Sequence, residues 1–182
     1  LEYLVEGKYR KEDIYKNAPF KFIIDKSKPQ VLNYPLGIRF INGNEFELFT
    51  EFENASKRGH IYKDKTFKNV KVPTGTYTQK FEIGEDINLP FFAGNLVVYD
   101  DSKIETNKEY FVKFLNFDAI VDRYKNGMMV SPYSASSPVL TLQLAGNNKA
   151  KIVDYLNATT DILSKTELER KHLYATNTIK FI

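Results

Sequence analysis

Hydrophobic and polar positions alternate with a period near two over most of the first 115 residues, and the period turns helical twice before the chain ends. Leu1 to Arg10 carries Tyr3, Val5 and Tyr9 on one parity, which reads as a strand or as the tail of an earlier helix. Pro19 to Asp25 is a clearer strand, closed by the Lys26-Ser27-Lys28-Pro29 loop. Leu36 to Ile41 faces Glu45 to Glu53 across Asn42-Gly43, a pair that tolerates positive φ and predicts a tight hairpin. In its second arm Phe46, Leu48, Thr50 and Phe52 alternate with Glu47, Phe49, Glu51 and Glu53, so one face is core and the other acidic and wet.

Residues 54–75 hold few periodic apolar positions and read as a long basic surface connection. Strands resume at Tyr77 to Ile83, Leu96 to Tyr99 and Tyr110 to Leu115. Asn116 then caps a short helix in which Phe117, Ile120, Val121 and Tyr124 share a face, with Gly127 at its C-terminus. Met128 to Tyr133 is another strand. Val139 to Leu144 is predicted as an interior strand, and Gly146-Asn147-Asn148 switches the period to that of a long helix. Its stripe of Ile152, Leu156, Thr159, Leu163, Thr166, Arg170, Leu173 and Asn177 begins apolar and becomes polar. The early half is expected to pack on a sheet through Ile152, Val153 and Leu156, so that Leu142→Asp would unfold the domain. With about 35 residues at ~1.5 Å each, that helix reaches roughly 50 Å. It meets no stop signal, which predicts a domain cut from a longer protein whose helix continues.

The expected fold class is therefore α+β: mostly antiparallel β-sheet, one short helix, and a long, truncated C-terminal helix packed on the sheet. Residues 1–108 are expected to form a β-rich insertion subdomain and residues 109–182 an α+β core.

Composition narrows the function. Net charge is only +3 over 182 residues with the charges interleaved, which disfavours nucleic acid. The absence of Cys removes thiolate metal sites and cysteine nucleophiles. Fourteen Phe and twelve Tyr suit sheets, and the lack of Trp weakens a high-affinity sugar module. There is no P-loop, no nucleophile elbow, no His-Glu-x-x-His pair and no dinucleotide fingerprint, so no catalytic, cofactor or metal residues are assigned. His60 and His172 read as surface residues. Asp118 and Asp122 share a helical face, but Asp118 sits where the helix dipole favours a negative charge and Arg123 is a surface partner. Asp100-Asp101 reads as turn chemistry. The glycan-acceptor patterns at Asn54 and Asn157 read as accidental. Lys57, Arg58, Lys63, Lys65, Lys68 and Lys71 form a basic loop, either solvated or facing an acidic polymer. The late helix offers Leu168, Arg170, Leu173, Tyr174, Asn177 and Ile179 as an assembly surface.

From Phe117 on, the chain resembles the chain-length determinants, or polysaccharide co-polymerases, in the branch attached to bacterial tyrosine autokinases. The resemblance is carried by Val130-Ser131-Pro132, Val139 to Leu144, Gly146 and Asn148, Val153-Asp154-Tyr155-Leu156-Asn157, Leu168-Glu169-Arg170-Lys171, and Ala175 to Ile182. Tyr15 to Phe20 and the hairpin after it are similar to the β-rich insertion of larger members. Lys149 stands where members often have proline. The resemblance implies the periplasmic face of the inner membrane of a Gram-negative bacterium, and a role in setting the length and promoting the export of capsular or exopolysaccharide. The implied partners are sister subunits, the polymerase or export machinery, and the polymer, with any kinase domain and membrane helices outside this sequence. A secreted carbohydrate-binding or adhesin-like β module is the alternative, and a hydrolase acting through Asp118 the third.

Overall fold

The computed structural model describes residues 1–180, with side chains described through Thr176. In chain order the strands are β1 (Glu2–Glu6), β2 (Lys11–Asp13), β3 (Phe20–Ile24), β4 (Pro29–Val31), β5 (Pro35–Phe40), β6 (Glu45–Phe52), β7 (Ser56–Ile61), β8 (Thr66–Lys71), β9 (Gly75–Glu82), β10 (Ile87–Leu89), β11 (Phe92–Val98) and β12 (Tyr110–Lys113). Helix α1 (Phe117–Gly127), strands β13 (Met129–Pro132) and β14 (Leu140–Gln143), and helix α2 (Lys149–Lys180) follow. The chain divides into two compact units, Leu1–Ile120 and Val121–Ile182.

The first unit contains three antiparallel sheets. Six strands run in the order β2-β1-β12-β5-β6-β9, three in the order β10-β11-β3, and three in the order β4-β7-β8. Strand β12, from the C-terminal side of the division expected at residue 108, lies between β1 and β5. Phe46, Leu48, Thr50 and Phe52 are all buried, as the alternation along β6 predicts. The core is largely aromatic: Phe20 on β3 packs edge-on against Phe40 of β5 at 5.4 Å and Tyr110 of β12 at 5.5 Å. Geometry of this kind suits the ring quadrupoles and joins separate sheets without polar bonds. On the opposite face of β6, Phe49 lies over Gly37, where a Cβ would run into the ring, and meets Phe111 at 5.9 Å.

Gln30 is the fully buried polar residue of this core. Its Nε2 donates to the carbonyls of Ala93 (2.9 Å) and Asp25 (3.1 Å), and its Oε1 accepts from the Ala93 N–H (3.2 Å). The side chain thus satisfies the Ala93 N–H of β11, which would otherwise be costly to bury, and adds a second donor to two carbonyls that the Asp25 and Lys28 N–H groups already engage.

The second unit has a different character. Strands β13 and β14 pair only with each other. Asn148 caps α2, its Oδ1 accepting from the Lys151 N–H at 3.1 Å, and Asn116 caps α1 in the same way through Ala119 at 3.1 Å. Tyr124 and Tyr155 meet at 4.6 Å. No side chain from Val121 to Thr176 is buried.

Several expectations are corrected. The α+β class, with one mostly antiparallel sheet and the long helix packed on it, gives way to a chain dominated by strand, distributed over four separate sheets. Helix α2 buries no described residue: Ile152 and Leu156 are half-buried and Val153 is exposed. Val139 to Leu144 is no interior strand, because β14 has one neighbour and Leu140 is exposed. Of the residues that share a face of α1, Phe117 and Val121 are exposed. Residues 54–75 are not a loop but hold β7 and β8. Finally, Asn42-Gly43 makes no positive-φ turn. The connection spans four residues, 41–44, and Asn42 Oδ1 closes it by accepting from the N–H groups of Asn44 (2.8 Å) and Glu45 (2.9 Å).

Candidate functional site

The six basic residues expected on one loop are spread over a two-faced hairpin. In the β7–β8 register Ser56 opposes Lys71, Arg58 opposes Asn69 and His60 opposes Phe67, so these six share a face. Lys57 and Lys68 belong to the other face, where Lys57 Nζ hydrogen-bonds the Tyr34 hydroxyl and sits 4.3 Å from that ring's centroid. Lys63 and Lys65 lie in the connecting turn, and Lys65 takes a left-handed φ of 54°. The six do not form a single basic patch; of them Lys65 alone lines the site described next, with Arg58 stacked on Phe67, one of its lining rings.

His60 is only 9% exposed, against the expectation of a surface residue. Its ring meets Tyr62 edge-on at 4.4 Å and Phe67 at 4.8 Å, and the Arg58 guanidinium lies 4.0 Å from the Phe67 centroid. Beside these rings opens a cavity of about 410 Å³, lined by His60, Tyr62, Lys65, Phe67, Asn116, Phe117 and Asp118. That volume falls in the range of small-ligand pockets, ~300–1,000 Å³. The hairpin turn supplies one wall and the first turn of α1 the other. Asn116 Oδ1 is engaged by the Ala119 N–H, which leaves its amide N–H groups as donors. Burial pushes the Tyr62 hydroxyl above its ordinary pKa, keeping it a protonated donor. Among the described residues the His60 imidazole makes no protein hydrogen bond, and its nitrogens are open to solvent although the residue as a whole is nine-tenths buried. Tyr62, Phe67, Asn116 and Phe117 were invisible as a site in the sequence, because residues some fifty positions apart meet only through the fold.

Other candidates separate. Asp118 lines the cavity, whereas Asp122 is exposed beyond it. Asp100 holds a turn: its carboxylate pairs with Lys103 at 2.8 Å and accepts from the Ser102 N–H, and Lys103 first and Ser102 second hold it below the usual carboxylate range. His172 is exposed on α2. Among the described residues no three His, Asp or Glu side chains gather as a metal set, and no helix is long and apolar enough to cross a membrane.

On the expected assembly surface Leu168, Leu173 and Tyr174 are exposed, and Arg170 pairs with Glu167 at 2.8 Å, with its guanidinium 5.8 Å from the Tyr174 centroid. The side chains of Asn177 and Ile179 lie outside the described residues. Ile162 and Leu163 extend the exposed apolar set. At about 100° per residue, Ile162 with Leu173 and Leu163 with Tyr174 form two adjacent stripes, and Leu168 faces a third direction.

No family model matches the chain, and no curated protein or solved structure is similar to it.

Proposed function

We propose that the chain is a periplasmic domain of a polysaccharide co-polymerase, acting at the inner membrane of a Gram-negative bacterium in the control of chain length and export of capsular or exopolysaccharide. It works by assembling with sister copies and contacting the polymerase or export machinery. It performs no bond chemistry of its own.

One observation carries the reading. Within the region that resembles the family, which starts at Phe117, no side chain from Val121 to Thr176 is buried, yet α2 presents Ile162, Leu163, Leu168, Leu173 and Tyr174 to solvent in more than one direction. A helix that is apolar on several sides gains stability from several neighbours, and sister copies around a symmetry axis provide them. The accompanying Glu167–Arg170 pair supplies the polar margin typical of an interface rim.

The test uses the intact gene in its own host. Ile162→Asp combined with Leu173→Asp is expected to shift or abolish the modal length of the surface polysaccharide while the protein level stays unchanged. Identical polysaccharide length distributions in the wild type and a complete gene deletion would overturn the proposal.

A further inference from the structure

The cavity between the β7–β8 turn and the start of α1 has the composition of a site for a hydroxylated ring that bears one negative charge. Phe67 and Phe117 present aromatic surface at its walls, and Phe117 is 70% exposed, an unusual position for a phenylalanine that contributes nothing to the core. The polar groups around these rings are diverse. His60 offers a ring nitrogen donor and a ring nitrogen acceptor, Asn116 an amide donor, Tyr62 a hydroxyl, Asp118 a carboxylate and Lys65 an ammonium.

The His60 ring lies among aromatic side chains, yet its nitrogens have no protein partner among the described residues and stay open to solvent, so a ligand hydroxyl in this cavity can take the place of water on them. The charges then select the ligand class. Asp118 opposes a densely anionic group such as a phosphate, whereas Lys65 in the turn and Arg58 over Phe67 favour a single carboxylate next to it. A polar ring with a CH-rich face for the aromatics, several hydroxyls for His60, Asn116 and Asp118, and one carboxylate for Lys65 is a uronic acid.

We infer that this cavity binds one uronate residue of an acidic polysaccharide, with Phe67 and Phe117 against the sugar face, Lys65 on the carboxylate, and His60, Asn116 and Asp118 on the hydroxyls. The choice of a glycan rests on the proposed function, and the site deepens it by giving the domain a direct grip on the polymer. Binding of this kind involves no covalent step.

The experiment titrates the 182-residue chain with tetragalacturonate and with maltotetraose, following the His60 and Tyr62 ring resonances by NMR. Saturable shifts of both rings are expected with tetragalacturonate, weakened by added salt, and binding of maltotetraose should be several-fold weaker. Phe117→Ala, at an exposed position, should weaken binding about tenfold, as the loss of one aromatic contact predicts. Lys65→Gly tolerates the left-handed backbone and should reduce the preference for the acidic sugar while leaving the fold intact. An absence of shifts at either ring, equal binding of the two oligosaccharides, or full binding by Phe117→Ala would each overturn the site. Failure here with an intact effect of the α2 substitutions on polymer length would remove the sugar site alone. Binding with no effect of those substitutions or of gene deletion on polymer length would remove the co-polymerase reading and leave a carbohydrate-binding module.

Discussion

Between Phe20 and Phe114 the chain buries aromatic and aliphatic side chains in one continuous core, whereas from Val121 to Thr176 it buries none, although Leu, Ile, Val and Tyr recur there. The side chains are chemically alike, so hydrophobicity does not separate the two regions. Pairing does. In the first unit β1 finds β12, β3 finds β11, and β6 finds both β5 and β9, so each apolar face meets another already held by backbone hydrogen bonds. In the second, β13 and β14 have only each other, and a two-stranded ribbon is too small to shield a face. The lesson is that an apolar periodicity states a need for cover without saying whether the same chain supplies it.

The sharpest way to break this contrast is to cut into the aromatic core. Phe20→Ala removes ring contacts to Tyr3, Phe22, Phe40 and Tyr110 and should cost about 3–5 kcal/mol in urea unfolding. A loss below ~1 kcal/mol would mean that the core repacks freely and is less cooperative than the edge-on geometry implies.

Alkaline pH gives a middle-sized effect. Burial pushes the Tyr3 hydroxyl above its ordinary value, although its oxygen also accepts from the Phe22 N–H at 3.1 Å, which favours the charged form. The folded chain therefore holds this proton more tightly than the unfolded chain. Stability is complete below the unfolded value of about 10 and falls as pH rises beyond it toward the folded value. Tyr3→Phe should flatten that alkaline decline, at a pH-independent cost of about 1 kcal/mol for the lost hydrogen bond. An unchanged slope in pH-dependent urea melts would assign the decline to the other raised phenols, Tyr62 and Tyr77.

The smallest effect is expected where the periodicity of the sequence predicts the largest. Leu142 is only half-buried on β14, so Leu142→Asp should shift the near-ultraviolet transition of the β-rich unit by no more than about 0.5 kcal/mol. Collapse of that transition would place Leu142 in a core after all.

Much of the first unit is legible without coordinates. The alternation of Phe46, Leu48, Thr50 and Phe52 predicts which face of β6 is dry, and Asn116 and the pair Asn147-Asn148, of which Asn148 makes the cap, announce the starts of both helices because local capping needs only neighbours in sequence. Strands β7 and β8 escape notice for the opposite reason. Their faces carry Arg58, Lys68 and Lys71, and their stability comes from a distant partner, β4, through Gln30 opposite His60. The cavity is hidden likewise, since His60 acquires Asn116, Phe117 and Asp118 as neighbours only once the sheets form. On α2 the spacing of Ile152, Leu156 and Leu163 is a correct reading of a helix and a poor guide to what covers it.

Gln30 restricts how this sequence can drift over evolutionary time. Its amide bonds at once to the N–H and the C=O of Ala93 and to the carbonyl of Asp25, in effect adding a rung to the ladder. Asn is one methylene short of that reach, Glu lacks the donor, and Leu or Met fills the space while orphaning the Ala93 N–H, the one of the three groups with no backbone partner besides. Along a lineage the surrounding phenylalanines can trade with leucine or methionine, each change absorbed by its neighbours. Position 30 has no such neighbourly alternatives, so its glutamine should outlast the aromatic residues packed around it.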